Sequence, residues 1–374
     1  MVKIQILGPL LIFLMPKRAL ITGITGYVGL GVAKQLINEG FEVIGLVRNN
    51  NKDFKERIEK LRMDLGKTEM LKFICFDLED NQPLNNKSFD GITHIIHSAA
   101  VTRFNVEQKL ANVINVEGSR KVFELARSCP DLECLSYIST IYTCGLAEGD
   151  ILETHHQSQA FANHYENSKF DAETLLQSEY GELPWQILRV ATIIADNEQG
   201  IVTQQNAFHN TLKLFFYGLL SLAPGEKNAP LYFVTGQFVI DAITELSQKY
   251  NTQSIYHICH SQNETSTLGE LLDLAYDRFN EEEDFRARNI LKPILCDSES
   301  FNLLAGETEK MGATVMSQGL GSISPFAKQL FTIKDIKNDK LRDILKNYSA
   351  PDPKKLLNSV CSHLLETRWG KRAT

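Results

Sequence analysis

The apolar positions of this chain follow two periods. Short, mainly apolar runs recur at residues 19–21, 41–47, 71–76, 92–97, 132–138 and 185–190. Such runs, without strict polar alternation, predict buried strands. Between them the apolar residues fall at helical spacing. Val32, Leu36 and Ile37 mark a first helix, and a charged helix is expected over 52–65. A long amphipathic helix is expected over 106–128, with Leu110, Val113, Val122, Leu125 and Ala126 inward. Another helix opens at Tyr165 and continues through Ala172, Leu175 and Leu176. Strands alternating with helices predict an α/β fold with a doubly wound parallel sheet, its ligand crevice at the carboxyl ends of the strands.

Past residue 190 the pattern changes. Residues 208–222 are unusually apolar (Leu212, Leu214, Phe215, Phe216, Tyr217, Leu219, Leu220), which suits an apolar channel wall and equally a core or dimer helix. Residues 231–234, a helix over 239–250 and a strand over 255–259 are expected to return to the main sheet, and a helix follows over 267–279. Residues 281–284 read as an acidic turn and 312–324, rich in Gly and Ser, as a loop. Helices over 334–348 and 354–367 are expected to cap the crevice. The implied organisation is an apolar arm (1–16), a nucleotide-type α/β domain (17–260) with lobe insertions near 195–235, and a smaller, mainly helical region (261–374). No internal repeat is evident.

Composition narrows the function. A chain of 374 residues exceeds what one compact core usually organises. A net charge of −7 without a long basic run argues against nucleic acid as the main partner. The seven cysteines (Cys75, Cys129, Cys134, Cys144, Cys259, Cys296, Cys361) are scattered, with no C-x-x-C pair. They suit free thiols in a reducing cytoplasm, with neither a disulfide framework nor a metal site. Residues 4–15 are apolar apart from Gln5, too short to span a bilayer, and lack an A-x-A cleavage site. They read as an upstream start, Met15-Pro16-Lys17 making a sensible beginning, or as a loosely packed arm; a membrane-surface anchor is the alternative.

The candidate chemistry begins at Thr22-Gly23-Ile24-Thr25-Gly26-Tyr27-Val28-Gly29, between the first strand and first helix. Gly23 permits the sharp exit, Gly26 a close backbone approach to a pyrophosphate, and Gly29 tight helix–sheet packing. Phosphates then meet free N–H groups at the helix start. Thr22, Thr25, Tyr27 and Val28 complete this dinucleotide-binding turn. Arg48 ends the second strand where NAD-preferring folds place an acid, so NADPH is favoured over NADH. Asp77, followed by Leu78, is a candidate for the adenine edge, and the small Ser98, Ala99 and Ala100 leave room for a flat cofactor. His94 and His97 read as packed strand histidines. Asn115, a poor helix former on an inward face, needs a polar partner and is a site candidate.

Tyr165-Glu166-Asn167-Ser168-Lys169 places a phenol and an ammonium one turn apart on one helix face. The ammonium is expected to lower the phenol from its usual value of about 10. Such a tyrosine exchanges a proton with a developing alkoxide. The ammonium is also placed to bond the nicotinamide ribose. Thr140, beside Ser139 at a strand end, can hold the substrate oxygen.

Taken in order, Thr22-Gly23-x-x-Gly26-x-x-Gly29, Asp77, His97-x-Ala99-Ala100, Asn115, Ser139-Thr140 and Tyr165-x-x-x-Lys169 resemble the extended short-chain dehydrogenase/reductases over roughly residues 17–260. The resemblance implies a Rossmann-type fold, a catalytic triad of Thr140, Tyr165 and Lys169, and an Asn115 that holds a helix kink and a water in the proton relay. Residues 137–142, Ile151-Leu152-Glu153 and Asn163-His164-Tyr165-Glu166-Asn167-Ser168-Lys169 with Ala172-Glu173 look like the male-sterility branch, which contains fatty acyl-CoA reductases and thioester-reductase domains. It implies NADPH-dependent reduction of a carbonyl or acyl thioester to aldehyde or alcohol, the acyl group arriving on CoA or a carrier protein. Residues 208–222 would then suit an acyl channel. Ile141-Tyr142 replace the Asp-Glu pair of the sugar dehydratases. Leu188-Arg189-Val190-Ala191-Thr192 and Thr235-Gly236-Gln237-Phe238-Val239 depart from the relatives' Arg-Pro and Pro-Val-Asp-x-Val patterns. Alternatives are a sugar-nucleotide, steroid or ketone dehydrogenase or epimerase, and a non-catalytic NADP-binding regulator. A homodimer is possible for any of them.

Overall fold

A computed structural model describes residues 17–48, 54–66, 68–79, 89–157, 160–310 and 314–371. The apolar arm (1–16) and Thr374 lie outside the described residues.

The first strand, β1 (Arg18–Thr22), has Ala19, Leu20 and Ile21 fully buried, as a strand covered on both faces requires. It sits mid-sheet. The chain runs outward through β2 (Glu42–Val47) and β3 (Leu71–Cys75), then crosses back to β4 (His94–His97), β5 (Cys134–Thr140), β6 (Trp185–Val190) and β7 (Ser254–Ile258). The order is β7-β6-β5-β4-β1-β2-β3, with every pairing parallel. The strand order therefore reverses between β1 and β4, where such sheets bind ligands. Register brings Thr22 opposite His97 and Thr140 opposite Val190, so the ends of the central strands meet on one rim.

Helices α1 (Tyr27–Asn38), α2 (Phe54–Leu65), α4 (His164–Glu179) and the broken helix α3 cover the sheet. α3 has α segments at Gln108–Ala111 and Gly118–Arg127, with a wider π turn at Asn112–Glu117 between them. No helix among the described residues is long and apolar enough to cross a membrane.

A second, mainly helical lobe has its own core. It gathers Leu212, Phe215 and Phe216 with Phe279, Phe285, Phe301, Leu356, Leu364 and Trp369. The apolar 208–222 stretch supplies this core. Its helix, Ala207–Phe216, ends before Gly218, whose φ of 72° a side chain would resist, and Leu222–Pro224 is a strand. The buried Leu212, Phe215 and Phe216 spend their apolar surface on core packing.

Three expectations need correction. Phe233–Thr235 does not join the main sheet; β7 occupies the edge beside β6, so this strand pairs with Thr192–Ala195 beyond it. The expected loop at 312–324 is helix over Thr314–Ala327, because burial of Leu320, Ile323 and Ala327 outweighs the weak propensity of its small residues, and residues 312–313 lie outside the described residues. Residues 334–348 are not one helix. Lys334–Ile336 pairs with Gly149–Ile151, and Asp339–Ile344 forms a short helix. Ile336 and Leu341 join the core of the first domain, so the region 261–374 is not all second lobe.

Phe279 is fully buried, with ring centroids of Phe215, Phe216 and Phe285 at 5.4, 5.3 and 5.7 Å. Phe279→Ala is expected to cost about 3–5 kcal/mol of stability, read from the midpoint of urea denaturation; a change below 1 kcal/mol would remove this cluster from the lobe's support.

Candidate active site

The rim at the strand-order reversal is built first by glycine. Gly23 turns out of β1 at φ 71°, and a Cβ there would lie 2.7 Å from the Ala99 nitrogen. A Cβ on Gly29 would strike the Gly23 carbonyl. Gly26 donates to that carbonyl at 2.9 Å and begins α1 without a side-chain cap or an acidic first turn. The first N–H groups of such a helix lack intrahelical acceptors. Close-packed glycines and an uncapped, positively polarised helix end fit the pyrophosphate of a dinucleotide. Val28, partly exposed, lies in this first turn and Thr25 precedes it, exposed.

Some of the predicted cofactor contacts have other tasks. Thr22 is buried; its hydroxyl meets His97 Nδ1 at 2.7 Å and accepts from the Ala99 nitrogen at 3.1 Å. Thr22 thus braces the turn from below. Ser98 donates to the Thr22 carbonyl at 2.8 Å, while Ala99 and Ala100 stay partly exposed. Tyr27 sends its hydroxyl to Asp196 in the second lobe and lies where a side chain on Gly236 would clash. Burial first, then the Asp196 charge, push its phenol up. Leu78 is buried against Gly118 and serves packing. Arg48, exposed, directly follows β2, and the Phe76 nitrogen bonds the Val47 carbonyl at 3.0 Å, bringing Arg48 and Asp77 to neighbouring strand ends.

The candidate reacting groups assemble on the far side of β4. Asn163 accepts from the Glu166 nitrogen at 3.0 Å and so starts α4 at His164, which sets Tyr165 in the first turn. The Tyr165 phenol interacts with the side chain of Thr140, the last residue of β5. Ser139, beside it, is committed elsewhere: it donates to Glu173 at 2.5 Å. One turn deeper, Lys169 donates to the Ile138 carbonyl at 2.7 Å and lies 4.1 Å from the Tyr137 ring centroid.

This geometry corrects the electrostatic expectation. Burial pushes the Tyr165 phenol up, and the Thr140 side chain opposes this only in part. Burial also pushes Lys169 down to about 7, with the Glu173 charge opposing. Desolvation, rather than ammonium–phenolate attraction, dominates both groups.

Asn115 finds the partners its position required. It accepts from the Val101 nitrogen at 2.9 Å and donates to the Val101 carbonyl at 3.1 Å and to Ser168 at 2.8 Å. Both amide hydrogens are used, so Asn115 fastens the loop after β4 to α4. Asn115 lies within the π turn at Asn112–Glu117. Ser119 donates to the Asn115 carbonyl at 2.6 Å and meets His97 Nε2 at 2.9 Å. Because the Ser119 hydroxyl is spent on that carbonyl, its oxygen accepts from Nε2–H; His97 Nδ1 then accepts from Thr22. Burial pushes His97 down to about 3, consistent with this neutral tautomer. Arg189, from one departing motif, is fully buried and bonds Glu173 at 2.7 Å.

The model of the male sterility protein family matches residues 21–243. The chain belongs to this family. Curated relatives include fatty acyl-CoA reductase wat of Drosophila melanogaster, 22% identical over 302 residues, covering 67% of this chain and 58% of that protein. Fatty acyl-CoA reductase 1 of Gallus gallus is 24% identical over 153 residues, covering 34% of this chain and 28% of its own. The chain thus spans well under two thirds of these relatives. Among solved structures, the terminal R domain of the myxalamid PKS-NRPS pathway shares the fold at TM-score 0.74 and 20% identity, covering 95% of this chain and 92% of its own. The UDP-glucuronic acid 4-epimerase of Bacillus cereus also shares it, at 0.66 and 14%, covering 93% and 99%.

In this male sterility family member, sequence reasoning missed a second-lobe contribution. The Glu166 carboxylate, within the Tyr165–Lys169 motif, accepts from the Ala162 nitrogen at 3.0 Å and from Gln329 at 2.9 Å. Lys334 in turn donates to Gln329 at 2.8 Å. Phe326 stacks on Phe104, which approaches Tyr165. Phe326 and Gln329 flank the end of a helix read as loop, and Phe104 lies in an irregular loop, so no periodicity marked them. Glu166 carried a signal, an acid one residue from a candidate catalytic tyrosine.

Burial pushes Glu166 up from 4.5 to about 7, with its hydrogen bonds opposing. Folding then binds a proton between those values, so this contribution is full below about pH 4.5 and is lost as pH rises through about 7. Glu166→Gln, which mimics the protonated acid, should flatten the decline relative to wild type by up to roughly 3 kcal/mol. Urea midpoints between pH 4.5 and 7.5 test this; parallel curves would mean that Glu166 titrates normally.

Proposed function

We propose that this chain is an NADPH-dependent reductase of acyl thioesters, CoA- or carrier-bound, forming an aldehyde or alcohol. The observation that carries the reading is the grouping at the sheet rim of Tyr165, Thr140 at the end of β5, and a buried Lys169 one helical turn away on the Ile138 carbonyl. The curated relatives named fatty acyl-CoA reductases, and the fold shared with a terminal R domain, support the acyl substrate class.

When bound along the glycine turn, the nicotinamide cofactor supplies the hydride for the carbonyl carbon. Thr140 holds the carbonyl oxygen, and Tyr165 donates its proton to that oxygen as charge develops there. Burial disfavours the tyrosinate left behind, so a nearby positive charge matters. Lys169, seated on the Ile138 carbonyl, supplies it when protonated and would bond the ribose of a bound cofactor. Ser119, His97 and Thr22 keep the turn in place, and Asn115 keeps α4 in place. Proton and hydride addition to a thioester gives a hemithioacetal, which expels the thiol to leave the aldehyde. Arg48, exposed after β2, would pair with the 2′-phosphate of NADPH.

NADPH consumption should be seen with a long-chain acyl-CoA and with the matched aldehyde. Turnover of the aldehyde alone would limit the enzyme to carbonyl reduction. Tyr165→Phe should lower kcat at least about a thousandfold while leaving the NADPH Kd within about threefold; a retained rate would remove Tyr165 from its role. Arg48→Asp should shift the kcat/KM ratio toward NADH by at least about tenfold, and an unchanged ratio would reject the 2′-phosphate assignment.

A further inference from the structure

The wall facing the reacting groups from the second lobe is aromatic. Phe326 lies near the end of the Thr314–Ala327 helix, directly after Pro325. Its ring stacks on Phe104, with centroids 5.0 Å apart and planes at 21°, and meets Tyr142 edge-on at 5.1 Å and 84°. Phe104 in turn lies 6.0 Å from the Tyr165 ring. Tyr142 stands two residues after Thr140 and is anchored to Thr192 at 3.1 Å. The Phe326 ring therefore bridges side chains adjoining both members of the Tyr165–Thr140 pair.

Polar bonds hold it there from two sides. Asn163, at the start of α4, donates to the Pro325 carbonyl at 3.2 Å. Gln329 donates to Glu166 at 2.9 Å and to the Gly145 carbonyl at 3.2 Å, in the turn that follows Thr140. Three residues of the second lobe, Pro325, Phe326 and Gln329, are thus tied to the segments around Tyr165 and Thr140.

We propose that Phe326 is the specificity-determining residue of the site, selecting substrates with methylene groups next to the carbonyl over polyhydroxylated ones. The inference rests on the reductase reading above and names the part of the substrate that meets the second lobe. Methylene groups gain contact with the ring faces of Phe104 and Phe326. A sugar would bury hydroxyls against these rings without hydrogen-bond partners, which is costly. Phe326 touches no reacting atom in this arrangement and acts through contact with the substrate chain.

The test compares wild type, F326A and the conservative F326L, each first shown to bind NADPH with unchanged Kd. Substrates are palmitoyl-CoA, dodecanal and D-glyceraldehyde. In F326A the KM for dodecanal should rise about tenfold with a smaller change in kcat, and the dodecanal-to-glyceraldehyde ratio of kcat/KM should fall about tenfold. F326L should lie between. An unchanged ratio in F326A overturns the proposal. If wild type reduces dodecanal and ignores palmitoyl-CoA, the thioester reading falls, and the aldehyde ratio still decides the role of Phe326. A readout without turnover covers an inactive preparation: calorimetric binding of dodecanol to the NADP-loaded protein. F326A should bind dodecanol about tenfold more weakly than wild type; equal binding, or none by wild type, overturns the assignment.

Discussion

The neutral imidazole of His97 joins the two halves of this molecule's rim. It donates to Ser119 and accepts from Thr22, and each partner is itself committed, to the Asn115 carbonyl and the Ala99 nitrogen. Asn115 extends the chain to Ser168, and Ser168 to the Tyr165 carbonyl at 2.8 Å. A continuous set of satisfied, buried hydrogen bonds thus runs from the glycine turn to the helix bearing Tyr165. Polar groups in a dry interior tolerate few alternative arrangements. A protonated His97 could not accept from Thr22, so its low proton affinity is a condition of the whole arrangement.

The sheet explains why this chain lies where it does. Both faces of the parallel strands are consumed by packing, so polar groups concentrate at the ends. Two charges buried beside the rim, Glu173 and Arg189, neutralise each other at 2.7 Å. Removing one partner of such a pair leaves an uncompensated buried charge. Glu173 also borders Lys169, so the pair influences how readily the ammonium keeps its proton.

Much of this was legible in the chain itself. The mainly apolar runs announced a buried parallel sheet, and Gly23, Gly26 and Gly29 announced the turn, because backbone conformation and close approach depend on local residue type. Tyr165, Lys169 and Thr140 were legible by helical spacing and strand ending. What escaped depended on distant partners. The hydroxyl of Thr22 could not be assigned before His97 was placed beside it. Lys334–Ile336 became a strand only because Gly149–Ile151 offered an edge. The Gly- and Ser-rich stretch became helical because Leu320 and Ile323 found a core. Desolvation of Tyr165 and Lys169 is likewise a property of the folded surroundings, which helical spacing alone does not reveal.

The π turn at Asn112–Glu117 has a consequence for how this segment tolerates change. A π turn accommodates one residue more than an α turn, and one residue of a regular helix subtends about 100°. Deleting a single residue there would restore regular winding and rotate one half of the helix against the other. Either Asn115 would swing away from Val101 and Ser168, or the buried Val122, Phe123 and Leu125 would leave their core. Point substitutions in this turn are local events, whereas a one-codon deletion changes its phase, and the reading of its length is as constrained as the identity of its asparagine.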